Sequence, residues 1–427
     1  MGRFQSYLTR AHPAIFIAYG GIVAFCAYFS MYAFRKPFSA ATYEDVAGWT
    51  FVLDYKIALV IAQVLGYALS KFIGIKVIAE LDGSKRGWAI LALIGLSWLA
   101  LVLFAIVPAP WNVAALFLNG LPLGLIWGLV FSFLEGRRTT EALGAILCAS
   151  FIVSSGIVKS VGSLLMSQLA VSPFWMPAAA GALFFPLLFL AVGGLSCLPP
   201  PSEEDQAQRV RRAPMQPKER NGFMLAYAPG LFLLVAAYVF LTAFRDFRDN
   251  FAAEIWRDLG QANGAALFTL SELPVAAVAL TILGSLMVIK DNRNALLFVH
   301  GILAAGFALI GLSTLAFQAD LIGPITWMIM VGAGLYAAYT PFNTVLFERL
   351  VAASGQVATA GFLIYVADAA GYVGSIGLLL AKNFANIQLA WVPFFIQSAY
   401  AVGLIGFIGI CASAIYFRKR LARSGGG

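Results

Sequence analysis

The sequence predicts an all-α membrane protein whose twelve transmembrane helices form two pseudo-symmetric six-helix halves. Three observations predict this fold class. Of the 427 residues, 61% are hydrophobic and only 11% are charged, whereas soluble domains are about 45–50% apolar and about 25% charged. The apolar residues fall into twelve segments of roughly 20 residues, which is the length that crosses a bilayer. One long polar stretch separates the sixth segment from the seventh.

The twelve apolar segments follow one another along the chain, mostly with short connections. The run that begins after residue 13 is too long for the core of a signal peptide, so we expect a retained first span. The expected spans are residues 14–36, 54–76, 87–107, 111–134, 142–168, 173–197, 223–248, 264–289, 294–317, 321–346, 355–382 and 391–417.

The polar stretch at residues 199–222 reads PPPSEEDQAQRVRRAPMQPKERNG. It is too polar and too rich in proline to insert into a bilayer, so it is expected to be a cytoplasmic linker. The expected domains are therefore an N-terminal six-helix half at 1–198, the linker, and a C-terminal six-helix half at 223–427.

The composition also excludes several classes of protein. So apolar a chain is not expected to be a soluble enzyme, a nucleic-acid binder or a disordered scaffold. With only His12 and His300, and with four cysteines far apart, neither a metal site nor a catalytic triad is expected. No glycine-rich segment stands in the context of a nucleotide site. The sequence thus predicts no enzymatic activity, no metal and no cofactor.

The positive charges predict the orientation of the chain. With a cytoplasmic N-terminus, the inward-facing segments hold 19 of the 28 Lys and Arg residues, and the outward loops at 108–110, 167–173 and 317–324 hold none. This bias follows the positive-inside rule, so both termini are expected in the cytoplasm.

The remaining basic residues divide into two groups. Lys56, Arg257 and Lys382 are expected at outer helix ends, where long side chains reach the interface. The others lie within or beside apolar runs, where a charge costs at least about 2.5–3.5 kcal/mol and marks a pathway or a partner. Helix–helix ion pairing without substrate contact is the alternative for this interior group. Its members are the bases Arg35, Lys36, Lys71, Lys159, Arg245 and Arg248 and the acids Asp246, Asp249, Glu272 and Asp368.

Helical spacing groups three of these positions. Tyr28, Tyr32 and Arg35 stand at i, i+4 and i+7, so two phenols lead to a guanidinium on one helix face. Arg245 occupies the corresponding first span of the second half. Because arginine binds phosphate and carboxylate bidentately, the two arginines are expected to clamp an anion near the pseudo-two-fold axis. Tyr336, Tyr339 and Asn343 are further candidate donors to the cavity.

Several short motifs resemble the organophosphate:phosphate antiporters of the major facilitator superfamily, which include bacterial glycerol-3-phosphate and hexose-6-phosphate transporters. Residues 28–38, YFSMYAFRKPF, resemble the family's Tyr-x3-Tyr-x2-Arg-Lys-x-Phe. Residues 66–73, GYALSKFI, are similar to Tyr-Gly-x-Ser-Lys-Phe, and residues 238–245, YVFLTAFR, match Tyr-Val-Phe-x4-Arg. Residues 271–274, SELP, resemble a segment with a membrane glutamate shortly before a proline, and the glycines of 360–374 resemble the family's eleventh span.

The resemblance implies roles for individual residues. Arg35 and Arg245 would bind the substrate phosphate, and Lys71 would be a third cationic contact. Two ion pairs between the halves, Lys36 with Asp249 and Lys71 with Glu272, would exchange during transport. The resemblance further implies the major facilitator fold, a bacterial cytoplasmic (inner) membrane location and a small anionic metabolite as the transported partner. The protein is expected to act as a monomer.

The sequence also departs from the family. The family has a histidine in its fifth span, where this chain has Lys159 shortly after CASFIVSS at 148–155. Lys159 is expected either to add a positive contact or to pair with Asp368, which has no counterpart in the family pattern. The loop signature after the second span, Gly-x3-Asp-Arg-x-Gly-Arg/Lys, is degraded at 74–86 and again at 284–293.

The function predicted from these residues is secondary active transport of a small phosphorylated or other organic anion by alternating access, with anion antiport as one form. One alternative is a proton-coupled symporter that uses Asp368 or Glu272 as its proton carrier. The other is a non-transporting sensor of the same fold.

Overall fold

The computed structural model describes residues 3–80, 82–135, 137, 139–201, 217–261, 264–286, 288–355, 360–384 and 389–424. Within these ranges the regular structure is helical, and no strand occurs. Most of the predicted linker at 199–222 lies outside the described residues.

Seventeen α-helices can be followed in the described ranges. They are α1 Arg3–Arg10, α2 Pro13–Tyr32, α3 Tyr55–Glu80, α4 Arg86–Ile106, α5 Val113–Leu123, α6 Ile126–Phe131, α7 Thr140–Leu169, α8 Met176–Ser196, α9 Pro217–Ala226, α10 Ala228–Asn250, α11 Ala252–Asp258, α12 Ala265–Leu286, α13 Asn292–Gln318, α14 Pro324–Thr344, α15 Leu346–Ser354, α16 Ala360–Phe384 and α17 Trp391–Ser424. Two 3-10 turns occupy Pro37–Ala40 and Gly83–Lys85.

Eleven spans in the described residues are long and apolar enough to cross a membrane. The 26-residue helix α3 occupies the position of the remaining predicted span. The all-α, multi-pass membrane architecture predicted from the sequence is therefore confirmed.

The structure revises several predicted helix ends. Helix α2 stops at Tyr32, and hydrogen-bonded turns lead from it into the 3-10 turn at Pro37. Arg35, which was expected on the first helix, therefore lies in a turn. The predicted fourth span is divided into α5 and α6, because Pro122 lacks a backbone N–H and disturbs the helix. The short helix α11 was not predicted.

Glycines allow neighbouring helices to approach each other closely. A Cβ atom on Gly66 of α3 would lie 2.2 Å from the Phe117 carbonyl oxygen, and one on Gly120 of α5 would lie 2.2 Å from the Gln63 carbonyl oxygen. Likewise, a Cβ atom on Gly306 of α13 would lie 2.5 Å from the Gly334 carbonyl oxygen, and one on Gly334 of α14 would lie 2.6 Å from the Gly306 carbonyl oxygen. Larger residues would push these helices apart, as expected for small-residue packing in membranes.

The chain divides into two compact units. The first unit contains residues 1–209 together with 249–270, and the second contains 210–248 and 271–427. Helices α10 and α12 therefore each contribute to both units, since their chains pass from one unit to the other at residues 248–249 and 270–271. The predicted domain limits at 198 and 223 stay predictions.

Candidate functional site

In the first unit, an arginine and a lysine lie against the same tyrosine ring. The Arg35 guanidinium carbon is 4.0 Å from the centre of the Tyr67 ring, and the Lys71 ammonium is 5.5 Å from it. These distances are within the range of a cation–π interaction. Tyr67 is 5% exposed, whereas Arg35 and Lys71 are half-buried. The ring thus positions two cations at an accessible edge of a buried region.

The two predicted tyrosines flank this arrangement. Tyr28 and Tyr32 are both buried, with ring centres 5.6 Å apart in an edge-to-face contact. The Tyr28 side chain shares a hydrogen bond with Tyr67, and the Tyr32 ring centre is 6.0 Å from the Arg35 guanidinium. Tyr28, Tyr32, Arg35 and Lys71 are therefore brought together, with Tyr67 as a common neighbour.

A buried amide network holds the turn that carries Arg35. The Gln63 amide donates to the Arg35 carbonyl oxygen at 3.0 Å and to the Asn119 side-chain oxygen at 2.7 Å. Asn119 in turn donates to the Phe34 carbonyl oxygen at 2.9 Å and to the Ser97 hydroxyl at 2.6 Å. Because buried polar groups are costly unless paired, this network fixes the backbone of the turn at a defined place.

A second cluster in the first unit centres on Asp249. Its carboxylate oxygens lie 2.5 Å from the Lys36 ammonium and 2.7 Å from the Lys159 ammonium. The Ser155 hydroxyl also donates to this carboxylate, and Lys36 donates to the Asn250 side-chain oxygen at 2.9 Å. The two lysine side chains are 5% and 2% exposed. Two cations and one carboxylate give these three side chains one excess positive charge.

A third buried charge pair joins α3 to α11. The Lys56 ammonium lies 2.6 and 2.8 Å from the two Glu254 carboxylate oxygens and donates to the Ser39 carbonyl oxygen at 2.8 Å. The side chains are 1% and 3% exposed. The expectation that Lys56 reaches the membrane interface is therefore wrong, because Glu254 supplies a counter-ion inside the protein.

The other two expected outer-end residues differ from each other. Arg257 forms a largely exposed ion pair with Glu44. Lys382 is 7% exposed, donates to the Leu389 carbonyl oxygen at 2.9 Å, and lies 4.7 Å from the centre of the Trp391 ring.

In the second unit, Arg245 lies between a carboxylate and a tyrosine ring. Its Nε and Nη2 atoms donate to one oxygen of Asp246 at 3.1 and 2.7 Å, and the other oxygen accepts from Ser375 at 2.8 Å. The guanidinium carbon is 4.4 Å from the centre of the Tyr339 ring. The Arg245 side chain is 17% exposed, so it is not fully buried.

A chain of hydroxyl groups leads to Asp368 in the same unit. The Tyr238 hydroxyl lies 2.5 Å from an Asp368 carboxylate oxygen, 3.0 Å from the Tyr339 hydroxyl and 3.3 Å from the Asn343 side-chain oxygen. The rings of Tyr238 and Tyr339 stack with centres 5.3 Å apart. Tyr238 is 1% exposed, whereas Asp368 is only half-buried.

Glu272 pairs with Arg248, which carried no predicted role beyond its place in the interior group. The Arg248 Nη1 atom donates to the Glu272 carboxylate at 2.7 Å, and Nη2 donates to the Met328 carbonyl oxygen at 3.0 Å. Gly332 leaves room for this guanidinium, since a Cβ there would lie 2.7 Å from Nη2. The resemblance had assigned Glu272 to Lys71 instead.

The partner that the structure gives to Lys159 is Asp249, whereas Asp368 accepts from Tyr238. Sequence reasoning also missed several residues of these clusters. Neutral residues such as Gln63, Asn119 and Ser155 carry no distinctive signal, although a buried amide inside an apolar span is itself a clue. The missed residues are Gln63, Tyr67, Ser97, Asn119, Ser155, Tyr238, Asn250, Glu254 and Ser375.

Solved structures share this fold across nearly the whole chain. A bacterial homologue of the human drug peptide transporters PepT1 and PepT2 has a TM-score of 0.63 at 12% identity, covering 95% of this chain and 99% of that one. A peptide transporter POT in complex with sulfate has a TM-score of 0.62 at 15% identity, covering 98% and 99%. A D-xylose-proton symporter has a TM-score of 0.61 at 14% identity, covering 94% and 96%.

These likenesses confirm the major facilitator fold predicted from the sequence. At such low identities they show the fold alone, so the resemblance to organophosphate:phosphate antiporters stays a prediction. No curated protein matches this chain. The profile described as "Family of unknown function (DUF5690)" matches residues 37–420, nearly the whole chain, and the protein therefore belongs to that family.

Proposed function

We propose that the protein is a secondary transporter that moves a small organic anion, with phosphorylated metabolites as the first class to test. The observation that carries this proposal occurs once in each unit. Arg35 lies over the Tyr67 ring in the first unit, and Arg245 lies over the Tyr339 ring in the second. A guanidinium stacked on an aromatic ring keeps its N–H edges directed sideways, where they fit phosphate or carboxylate oxygens.

The burial of these arginines supports the anion class. A charge in a membrane span costs at least about 2.5–3.5 kcal/mol unless it has a partner or a function. Arg35, Lys71 and Arg245 are half-buried and not fully enclosed, which suits contact with a reversible ligand. In the first unit, the Lys36, Lys159 and Asp249 side chains together carry a further excess positive charge.

The fold supports alternating access as the mechanism. Proteins whose names identify them as peptide transporters and a D-xylose-proton symporter share it. In transporters of this architecture, two halves rock about a site near the midplane. We therefore propose that Arg35, Lys71 and Arg245 bind the anion, with Tyr28, Tyr32 and Lys159 near the path. Lys36, Asp249 and Glu272 are proposed as ion-pair residues whose partners change during the cycle.

Replacing Arg35 or Arg245 by Lys is expected to lower anion uptake by about tenfold or more. Lysine keeps the charge but loses the bidentate donor geometry, and a charge-assisted hydrogen bond contributes about 1.5–3 kcal/mol, of which 1.4 kcal/mol corresponds to tenfold. Uptake of labelled glycerol 3-phosphate, glucose 6-phosphate and inorganic phosphate into proteoliposomes measures the effect. The matched control is Arg257→Lys, at an exposed arginine paired with Glu44.

We expect Arg257→Lys to transport like the wild type. Wild-type uptake in both single variants would contradict the proposed roles of the arginines. Binding of a phosphate ester without flux in the wild type would instead support the sensor alternative and contradict transport.

Proton-coupled symport is a second candidate, favoured by the short contact between Tyr238 and Asp368. The Tyr339, Tyr238 and Asp368 side chains form a hydrogen-bonded series that ends at a half-buried carboxylate. Such a series can pass a proton to and from the carboxylate. Glu272 is less suited to this role, because its carboxylate is paired with Arg248 at 2.7 Å.

Asp368→Asn is expected to abolish accumulation driven by a pH gradient while exchange across equal-pH membranes continues. Asparagine keeps the size of the side chain and its acceptor oxygen but cannot carry a proton. Counterflow and pH-driven uptake in the same proteoliposomes separate the two activities. Equal loss of counterflow and of pH-driven uptake would indicate a structural role for Asp368. Unchanged pH-driven accumulation would show that Asp368 does not couple transport to protons.

A further inference from the structure

We propose that the first unit has a second anion site, separate from Arg35 and Lys71, that binds the phosphate of a lipid headgroup or a soluble phosphate. The site is a cavity of about 340 Å³ at the start of α4 and the ends of α6 and α8. This volume falls within the range of about 300–1,000 Å³ that is usual for small-molecule sites. The residues that matter here are Ser84, Arg86, Glu135, Arg137 and Ser196.

The two arginines of the cavity are anchored by backbone carbonyls. The Arg86 Nη1 atom donates to the Ser132 carbonyl oxygen at 2.9 Å. The Arg137 Nη2 atom donates to the Pro199 carbonyl oxygen at 2.5 Å, and its guanidinium lies 5.0 Å from the centre of the Phe16 ring. Carbonyl oxygens orient a guanidinium without neutralising its charge, so these contacts preorganise the two cations.

Arg86 retains unused hydrogen-bonding capacity. Its Nε atom is buried and has no hydrogen-bond partner among the described residues. An arginine carries five N–H donors in a planar fork, and the Ser132 carbonyl engages one of its nitrogens. A phosphate group matches this fork because its oxygens accept two parallel hydrogen bonds.

The charge of the cavity lining favours an anion. Arg86 and Arg137 contribute two positive charges, and Glu135 contributes one negative charge. The hydroxyls of Ser84 and Ser196 border the same space, but their protons are donated to the Asp82 carboxylate and the Val192 carbonyl oxygen, at 3.0 and 2.9 Å. Among the described residues of the lining, the two guanidiniums outnumber the one carboxylate, which fits a phosphate monoester or diester.

The surroundings of the cavity fit a lipid as one source of this phosphate. Trp88 follows Arg86 by two residues at the start of α4 and is 77% exposed. Exposed tryptophans are enriched where membrane spans meet the headgroup region. Arg86 is thus expected at the depth where phospholipid phosphates lie, although the same lining also suits free phosphate.

Two measurements with the full-length protein test the site and separate the sources. In the lipid arm, native mass spectrometry counts phosphatidylglycerol and phosphatidylcholine molecules retained by the detergent-solubilised protein. In the soluble arm, inorganic phosphate is titrated while the melting temperature is followed. The variants are Arg86→Gln, Arg137→Gln and, as a matched control at the adjacent exposed lysine, Lys85→Gln.

In the wild type and in Lys85→Gln, we expect the protein to retain phospholipid or to be stabilised by inorganic phosphate. In either arginine variant, we expect the affinity to fall by about tenfold, since each variant removes a bidentate contact. Retention of phospholipid alone assigns the site to lipid, and stabilisation by phosphate alone assigns it to a soluble ligand. The proposal is overturned if neither arm shows binding, or if Lys85→Gln loses as much affinity as the arginine variants.

A folding control keeps the result interpretable. Arg86→Lys retains the charge but removes the fork, and it is used if Arg86→Gln does not give a monodisperse protein. The affinity of Arg86→Lys for the phosphate group is expected to lie between those of the wild type and Arg137→Gln. An affinity equal to that of the wild type would contradict a bidentate contact from Arg86. Because Arg35 and Arg245 lie outside this cavity, failure of the transport assays leaves the test unaffected.

Discussion

Replacing Asp249 by Asn is expected to destabilise the protein by about 3–5 kcal/mol, which is the effect of removing one partner from a buried ion pair. The Asp249 carboxylate is the counter-ion for both Lys36 and Lys159, whose side chains are almost fully buried. Asparagine is nearly the same size but carries no charge, so two ammonium groups would share a buried space without this carboxylate. Thermal unfolding of the purified protein in detergent measures the loss as a lower melting temperature.

Two further variants separate charge from hydrogen bonding at this position. Ser155→Ala removes one hydrogen bond to the same carboxylate and is expected to cost about 1 kcal/mol. Adding Lys159→Met to Asp249→Asn removes one of the two stranded charges, so the double variant is expected to recover part of the stability. If Asp249→Asn is no less stable than Ser155→Ala, then Asp249 is not the principal counter-ion of the two lysines.

Glu254→Gln is expected to destabilise the protein by about 3–5 kcal/mol as well, because it leaves the Lys56 ammonium buried without its carboxylate. Lys56 is 1% exposed, so its charge has no route to water in the folded protein. The Ser39 carbonyl and the Phe251 ring, with its centre 5.4 Å from the ammonium, remain as weak partners. The melting temperature in detergent again gives the size of the effect.

The control for this pair removes both charges together. Lys56→Met combined with Glu254→Met is expected to be within about 1 kcal/mol of the wild type or more stable, because apolar residues of similar volume often replace buried ion pairs without loss. Glu44→Gln, at the exposed pair with Arg257, is expected to cost about 1 kcal/mol or less. A double variant as unstable as Glu254→Gln would show that packing, and not the unpaired charge, explains the loss.

The membrane spans were predictable because their signal is local. Each span is recognised from the apolar residues within its own stretch of about 20 residues. The ends of the helices were less predictable where a few residues decide the path of the backbone. Helix α2 stops at Tyr32, four residues before its predicted end, and α5 ends one residue beyond Pro122. These details depend on local turns and on contacts such as the Gln63 hydrogen bond to Arg35.

The interior charges were predictable as a set, but their partners were not. Because a charge in an apolar span is costly, the positions of Lys36, Lys159 and Asp249 within or beside apolar runs identify them from the sequence alone. Their ion pairs join residues that are far apart in sequence. The same holds for Lys56 and Glu254, which are 198 positions apart. Lys56 shows the consequence: its place near a helix end suggested exposure, whereas its carboxylate partner comes from α11, a helix that sequence reasoning did not predict.

The sequence by itself determined that this chain is a helical membrane protein with charges concentrated in its interior, because the cost of transferring each residue into lipid is nearly additive along the chain. Only the tertiary structure decided which cation lies on which tyrosine ring, which carboxylate serves two lysines, and which arginines line a separate cavity. Those choices depend on distances between helices that are remote in sequence. Hydrogen bonds and ion-pair contacts require their atoms to lie within a few ångströms of each other, so helix packing selects the partners.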